Sequence, residues 1–122
     1  MPTVLAAAGI PLESAHSIDG VNLLPYLTGE ASGPPHEALY WRLGATMVIR
    51  KGDWKLVKMS ADGHMQDPAL LSDLSGAVLY NLKDDIAETR SLAAARPDKV
   101  EELTADWQRW NRSLQKPRWP SR

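Results

Sequence analysis

Arg50-Lys51-Gly52-Asp53-Trp54-Lys55-Leu56-Val57 reads as a β-hairpin, and the fold follows from it. Thr46 to Arg50 alternates, with Met47 and Ile49 on one side and Val48 and Arg50 on the other, the period of a strand. Lys51-Gly52-Asp53 is a tight turn whose glycine supplies φ > 0. Trp54 to Met59 returns, with Trp54, Leu56 and Lys58 on one face and Lys55, Val57 and Met59 on the other. Upstream, Ala38 to Leu43 carries Leu, Tyr and Trp, which favour strands, and Gly44-Ala45 breaks it. Downstream, residues 60–76 read as a long polar loop, and Val78 to Leu82 as a fourth strand. Simple succession joins the four into one antiparallel sheet.

A helix completes this layer. Asp84 to Ala95 reads as turn and short helix, and Pro97 opens the C-terminal helix at a first-turn position. Val100, Leu103, Trp107, Trp110 and Leu114 recur at three- and four-residue spacing, one helical face, before Pro117 and Pro120 end it. That face is expected to lie across the sheet above Trp54 and Leu56. Four of the five tryptophans, Trp41 among them, take core-like sheet or helix positions in this reading, and Trp119 lies in the tail. The N-terminal third is different. Pro2 to Gly9 is a short helix, Ile10 to Ile18 a loop, Val21 to Leu27 one helical turn, and Thr28 to His36 a loop rich in Gly and Pro. The fold class is α+β: a four-stranded antiparallel sheet with a C-terminal helix packed on one face, preceded by short helix and loops.

Composition bounds the function classes. A chain of 122 residues with 43% apolar and 24% charged residues fits one soluble domain at most. The net charge of −1 gives no bias toward nucleic acid. The bases gather at the end, where Arg109, Arg112, Lys116, Arg118 and Arg122 suit the C-terminus of a helix. There is no Cys, which excludes disulfides, thiolate metal sites and a catalytic thiol. No apolar run approaches the ~20 residues of a membrane span. The N-terminus lacks the basic region and apolar core of a signal peptide.

The hairpin does not stand alone. It follows Asp19-Gly20-Val21-Asn22-Leu23-Leu24-Pro25-Tyr26-Leu27 and Leu39-Tyr40-Trp41-Arg42, and it precedes Leu79-Tyr80-Asn81-Leu82 and the Trp-bearing helix. In order and spacing this series resembles the C-terminal end of the sulfatase family, the arylsulfatase-like sulfuric ester hydrolases, from about Pro2 to about Leu114. The resemblance implies three segments. Residues 1–37 are connecting helix and loops that end the family's large alkaline-phosphatase-like α/β domain, 38–116 are the C-terminal subdomain, and 117–122 are a tail. It also implies that Met1 corresponds to a methionine inside a longer chain, and that an N-terminal catalytic sulfatase domain is the missing partner. Calcium and a formylglycine nucleophile are then expected in the full-length parent and not in this chain. The substrate would be a sulfated small molecule or glycan, with no nucleic acid or membrane partner.

No catalytic, cofactor-binding or metal residue carries over. The family nucleophile lies in a Cys/Ser-x-Pro-Ser-Arg motif. Here Pro120-Ser121-Arg122 follows Arg118-Trp119, with Arg in place of Cys or Ser, and reads as a chance tripeptide at the end of the chain. The family turn near Asp-Pro-x-Glu is Asp85-Ile86-Ala87-Glu88 in this chain. Asp84-Asp85 offers carboxylate oxygens to a hard cation, but two adjacent acids fit a turn and helix start better. His16, His36 and His64 fall on three separate loops, and Asn111-Arg112-Ser113 is a glycosylation sequon inside a helix. Trp41 and Arg42 are the candidates for substrate contact, an aromatic and a cation beside the cleft; the plain alternative is an inward Trp and an outward Arg on a strand. The loop 60–76 is a second candidate for specificity. The expected role is a structural, cleft-bordering part of a sulfuric ester hydrolase, without activity alone. A stand-alone binding or structural module complementing a separate catalytic chain remains open. So does a fragment of a related phosphodiesterase or phosphonate hydrolase.

Overall fold

The structure, a computed structural model, describes residues 1–11, 18–43, 46–59 and 76–115. The chain divides into two compact units, Met1–Glu37 and Ala38–Arg122. The first holds two short helices, α1 (Pro2–Ala7) and α2 (Leu24–Leu27), each with a proline in its first turn. Helices this short do not persist in water without support. Thr3 supplies part of it: its hydroxyl donates to the Val21 carbonyl at 3.4 Å and accepts from the Leu23 amide at 3.1 Å. Asn22 accepts from the Leu24 amide at 3.0 Å, satisfying an otherwise open donor at the start of α2.

The second unit is the sheet and its helix. Strands β1 (Ala38–Leu43), β2 (Thr46–Lys51), β3 (Trp54–Lys58) and β4 (Val78–Asn81) pair antiparallel in the order β1-β2-β3-β4. Helix α3 runs over Pro97–Ser113. The α+β reading and all four strands therefore stand, with β3 and β4 each ending one residue earlier than read from sequence. Lys51 pairs with Trp54 across the two-residue loop Gly52-Asp53, and Gly52 has φ 58°. A positive φ at that position lets the turn follow the right-handed twist of the strands.

Register sorts the side chains onto two faces. Tyr40, Ile49, Leu56 and Leu79 form one cross-strand row, with Met47 beside it, and α3 lies over this side. The fully buried core is Met47, Ile49, Leu56, Leu79, Leu103 and Trp107, with Tyr40, Trp54, Val100 and Trp110 packed around it. Burying such side chains contributes about 1.5–3 kcal/mol each. Aromatic geometry fixes the rest. Tyr40 stacks on Trp110 with centroids 5.0 Å apart, and Trp107 meets Trp110 edge-on at 6.0 Å. The Trp107 indole N–H donates to the Trp41 carbonyl at 3.2 Å, which ties the middle of α3 to β1. The Arg96 guanidinium lies 5.2 Å from the centroid of the Trp54 ring.

Three expectations change. Residues 84–95 contain no helix. Asp85 instead accepts from the Thr89 amide, the Thr89 hydroxyl and the Arg90 amide at 2.9–3.1 Å. Glu88 adopts φ 56°, which a right-handed helix does not allow. Leu114, placed on the helical face by its spacing, caps α3 in an extended conformation. Trp41 is not in the core; it is half exposed on the side of the sheet away from α3. The expected long loop lies mostly outside the described residues.

A charged seam joins α3 to β2. The Lys51 ammonium donates to Asp106 at 2.8 Å and lies 3.4 Å from Glu102. Asp106 also accepts from Arg109 at 2.9 Å, and Glu102 from Lys99 at 2.5 Å. The hydrogen bond from Lys51 holds the Asp106 carboxyl below its ordinary value. That from Lys99, helped by Lys51, does the same for Glu102. Bonding to Arg96 lowers Asp98 to about 2. The bond to Asp106 raises Lys51, against the opposing effect of partial desolvation.

Trp107→Ala is expected to cost about 3–5 kcal/mol, read as the shift in a urea denaturation midpoint; an unchanged midpoint excludes the described packing. Gly52→Ala has room for its methyl group. It should nevertheless lose roughly 1–2 kcal/mol, because φ 58° strains any residue with a Cβ. The depressed carboxylates stabilise the fold above their unfolded values and lose that stabilisation as pH falls through the folded ones. The midpoint should therefore drop as pH falls below the ordinary aspartate value of 3.8. Lys51→Met should make the drop shallower by removing the partner of Asp106 and Glu102. An equally steep acid limb in that variant would show that the seam does not couple to folding.

Candidate functional site

Strand β1 carries Trp41 and Arg42, the candidate contact pair, and strand geometry decides what they can do together. Successive side chains leave a strand on opposite faces. Tyr40 and Arg42 turn toward α3, while Leu39, Trp41 and Leu43 turn away. The plain alternative of an inward Trp and an outward Arg is thus reversed. Arg42 donates through Nη1 to the Asn111 side-chain Oδ1 on α3 at 2.6 Å and is half-buried. Trp41 is 50% exposed, and only its backbone carbonyl is engaged by α3. No ligand lying flat on one face of the sheet meets both side chains.

Asn111 is the partner that sequence reading misses. Its place in a sequon obscures it, yet it sits four residues after Trp107 and therefore shares the sheet-facing side of α3. That spacing is the available signal. Its amide oxygen is the acceptor that holds the Arg42 guanidinium against the helix.

Asp84 and Asp85 do not act as a pair. The Asp85 carboxylate closes its own loop, and hydrogen bonds from the Thr89 and Arg90 amides hold its pKa below the ordinary value. Asn81, Thr89, Arg90 and Leu92 complete a small open cleft around the two acids. Within residues 1–37, a shallow apolar cleft is lined by Pro2, Ala6, Ile10, Pro11, Val21 and Asn22 and contains no titratable side chain.

No group of three His, Asp or Glu side chains comes together among the described residues. The chain has no Cys, and its Pro120-Ser121-Arg122 tripeptide is preceded by Arg118-Trp119. His16, His64 and the Pro120-Ser121-Arg122 tripeptide lie outside the described residues. Among the described residues no helix is long and apolar enough to cross a membrane.

Comparison with known proteins supplies the context for this fold. No family model matches. An uncharacterized sulfatase of Escherichia coli strain K12, YdeN, is 30% identical over 128 residues, spanning 84% of this chain and 23% of YdeN. Among solved structures, one comes from the Bacteroides thetaiotaomicron locus for metabolism of multiple glycosaminoglycans (BT33336S-sulf). It superposes with a TM-score of 0.65 at 25% identity, over 88% of this chain and 23% of that one. BT4656, solved with its substrate D-glucosamine-2-N,6-O-disulfate, gives a TM-score of 0.62 at 25% identity over 91% and 22%. Ps i-CgsB shares the fold alone, with a TM-score of 0.70 at 21% identity over 97% and 24%. The chain thus spans under a quarter of the length of the curated relative and of these structures. In sequence and in fold, the chain matches the C-terminal subdomain of sulfatases.

Proposed function

We propose that this chain serves as the C-terminal subdomain of a sulfuric ester hydrolase, packing against a catalytic domain and bordering its substrate cleft while carrying none of the chemistry. The observation behind this reading is the asymmetry of coverage: 84% of this chain corresponds to 23% of YdeN. Nearly all of a small piece matches a small part of a larger enzyme. The residues agree with such a role. Their polar side chains are spent on internal contacts, Arg42 on Asn111, Lys51 on Asp106, and Asp85 on its own turn.

In this reading the nucleophile and the calcium ligands belong to the catalytic part, and the substrate is a sulfated small molecule or glycan. BT4656 was solved with a sulfated sugar, which favours the glycan. Of the candidate contact pair, Trp41 has the open side chain and is the one to border a bound sulfated ring. Arg42 holds β1 to α3.

The test has two halves. Purified alone, the chain should not turn over an aryl sulfate. Co-produced with the polypeptide encoded in frame upstream or by a neighbouring gene, it should, and that polypeptide should contain a Cys/Ser-x-Pro-Ser-Arg motif. Turnover by the chain alone, or neighbouring sequence with no such motif, would overturn the reading. In the second case, phosphodiester cleavage by the same mixture would point to the sister branch.

A further inference from the structure

Residues 84–93 grip the outer edge of β4 from both sides of the sheet. Backbone groups of a strand point alternately to its two edges. Those of Leu79 and Asn81 point away from β3, and the segment meets them in turn. The Asn81 carbonyl accepts from the Asp84 and Asp85 amides at 3.2 and 2.9 Å. The Leu79 amide donates to the Ser91 hydroxyl at 3.3 Å, and the Leu79 carbonyl accepts from the Leu92 amide at 2.7 Å. On the side of α3, Leu92 and Ala93 pack against the core. On the opposite side, Glu88 pairs with Lys55 at 2.6 Å; Lys55 precedes the buried Leu56 on β3 and so leaves the strand on the other face. Between these two anchors Asp85 closes the loop through its bonds from Thr89 and Arg90. Glu88 reaches Lys55 at φ 56°, a backbone conformation that persists in a residue with a Cβ only where its surroundings impose it.

An open strand edge is a template for a further strand, and charge or proline on the edge is a common protection. Strand β4, Val78-Leu79-Tyr80-Asn81, has neither. We propose that residues 84–93 are a clip that withholds the β4 edge from a second copy of this chain, and that opening the clip produces an antiparallel pair of β4 strands. A second copy fits this edge by its own chemistry. With Tyr80 at the centre of the pair, Leu79 of each strand lies opposite Asn81 of the other. Each then supplies the donors and acceptors that the clip now satisfies. The strand is uncharged, so pairing it with itself brings no like charges face to face.

The test opens the clip in the full 122-residue chain with Asp85→Ala and Ser91→Ala together. The Leu79 amide should then exchange with deuterium about tenfold faster or more, while the Tyr80 amide, turned toward β3, keeps its protection. The opened chain should sediment as a dimer. The chain has no cysteine, so Tyr80→Cys reports the contact. It should link two opened chains by a disulfide in air and leave chains with an intact clip unlinked. Ile86→Ser alters only the exposed outer turn of the clip and should leave exchange and association as in the unaltered chain. If the opened chain does not fold, hydrogen exchange of the unaltered chain in low denaturant decides. The Leu79, Thr89, Arg90 and Leu92 amides should open together, at lower denaturant than the Tyr80 amide. Opening of all five only with global unfolding would overturn the clip. So would faster exchange at Leu79 without association, or equal linking of chains whose clip is closed.

Discussion

The indole of Trp107 closes the helix-facing side of the sheet, and the other contacts of that layer are arranged around it. Its ring is buried in one cluster with Met47, Ile49, Leu56, Leu79 and Leu103, and its N–H is satisfied by the Trp41 carbonyl. An aromatic ring with a polar handle is suited to this position, because the apolar body is buried while the single donor still finds a partner. One such bond also fixes the rotation of α3 about its own axis. Once Trp107 is set, Trp110 falls on Tyr40 and Asn111 falls on Arg42. Lys51 and Asp106 then meet at the side of the helix.

The consequence is a layer with one closed side and one open side. A sheet with helices on both faces would hide its strands entirely, whereas this one leaves Leu39, Trp41 and Leu43 in solvent. Residues 1–37 likewise expose Val4, Ile10 and Leu27. Exposed apolar area of this extent is unfavourable in water, which fits the proposed role beside a catalytic domain. The resemblance to sulfatases and the short span of those enzymes that is matched agree with that picture.

Most of the fold is legible in the order of residues. Alternation in Thr46–Lys51, the glycine turn at Gly52 and the spacing of Leu103, Trp107 and Trp110 are local patterns, each with a direct physical cause. The features that escape such reading have a non-local or competing cause. The segment 84–95 has adequate helix formers, but Asp85 captures the Thr89 and Arg90 amides and turns the chain instead. Trp41 reads as core because it is large and apolar, and composition does not reveal which face of a strand a partner covers. Asn111 looks like a modification signal because its true partner is 69 residues away.

Periodicity, turn chemistry and motif order are written along the chain. They were enough for the four strands, their antiparallel succession, the C-terminal helix and the kinship with the C-terminal part of sulfatases. The absence of a thiol nucleophile is likewise a matter of which residue types occur. The side of β1 that each residue serves was settled by tertiary packing alone. Register and the seat of α3 turn Arg42 inward to Asn111 and leave Trp41 open, since a pleated strand sends neighbours to opposite faces and helix placement alone distinguishes them.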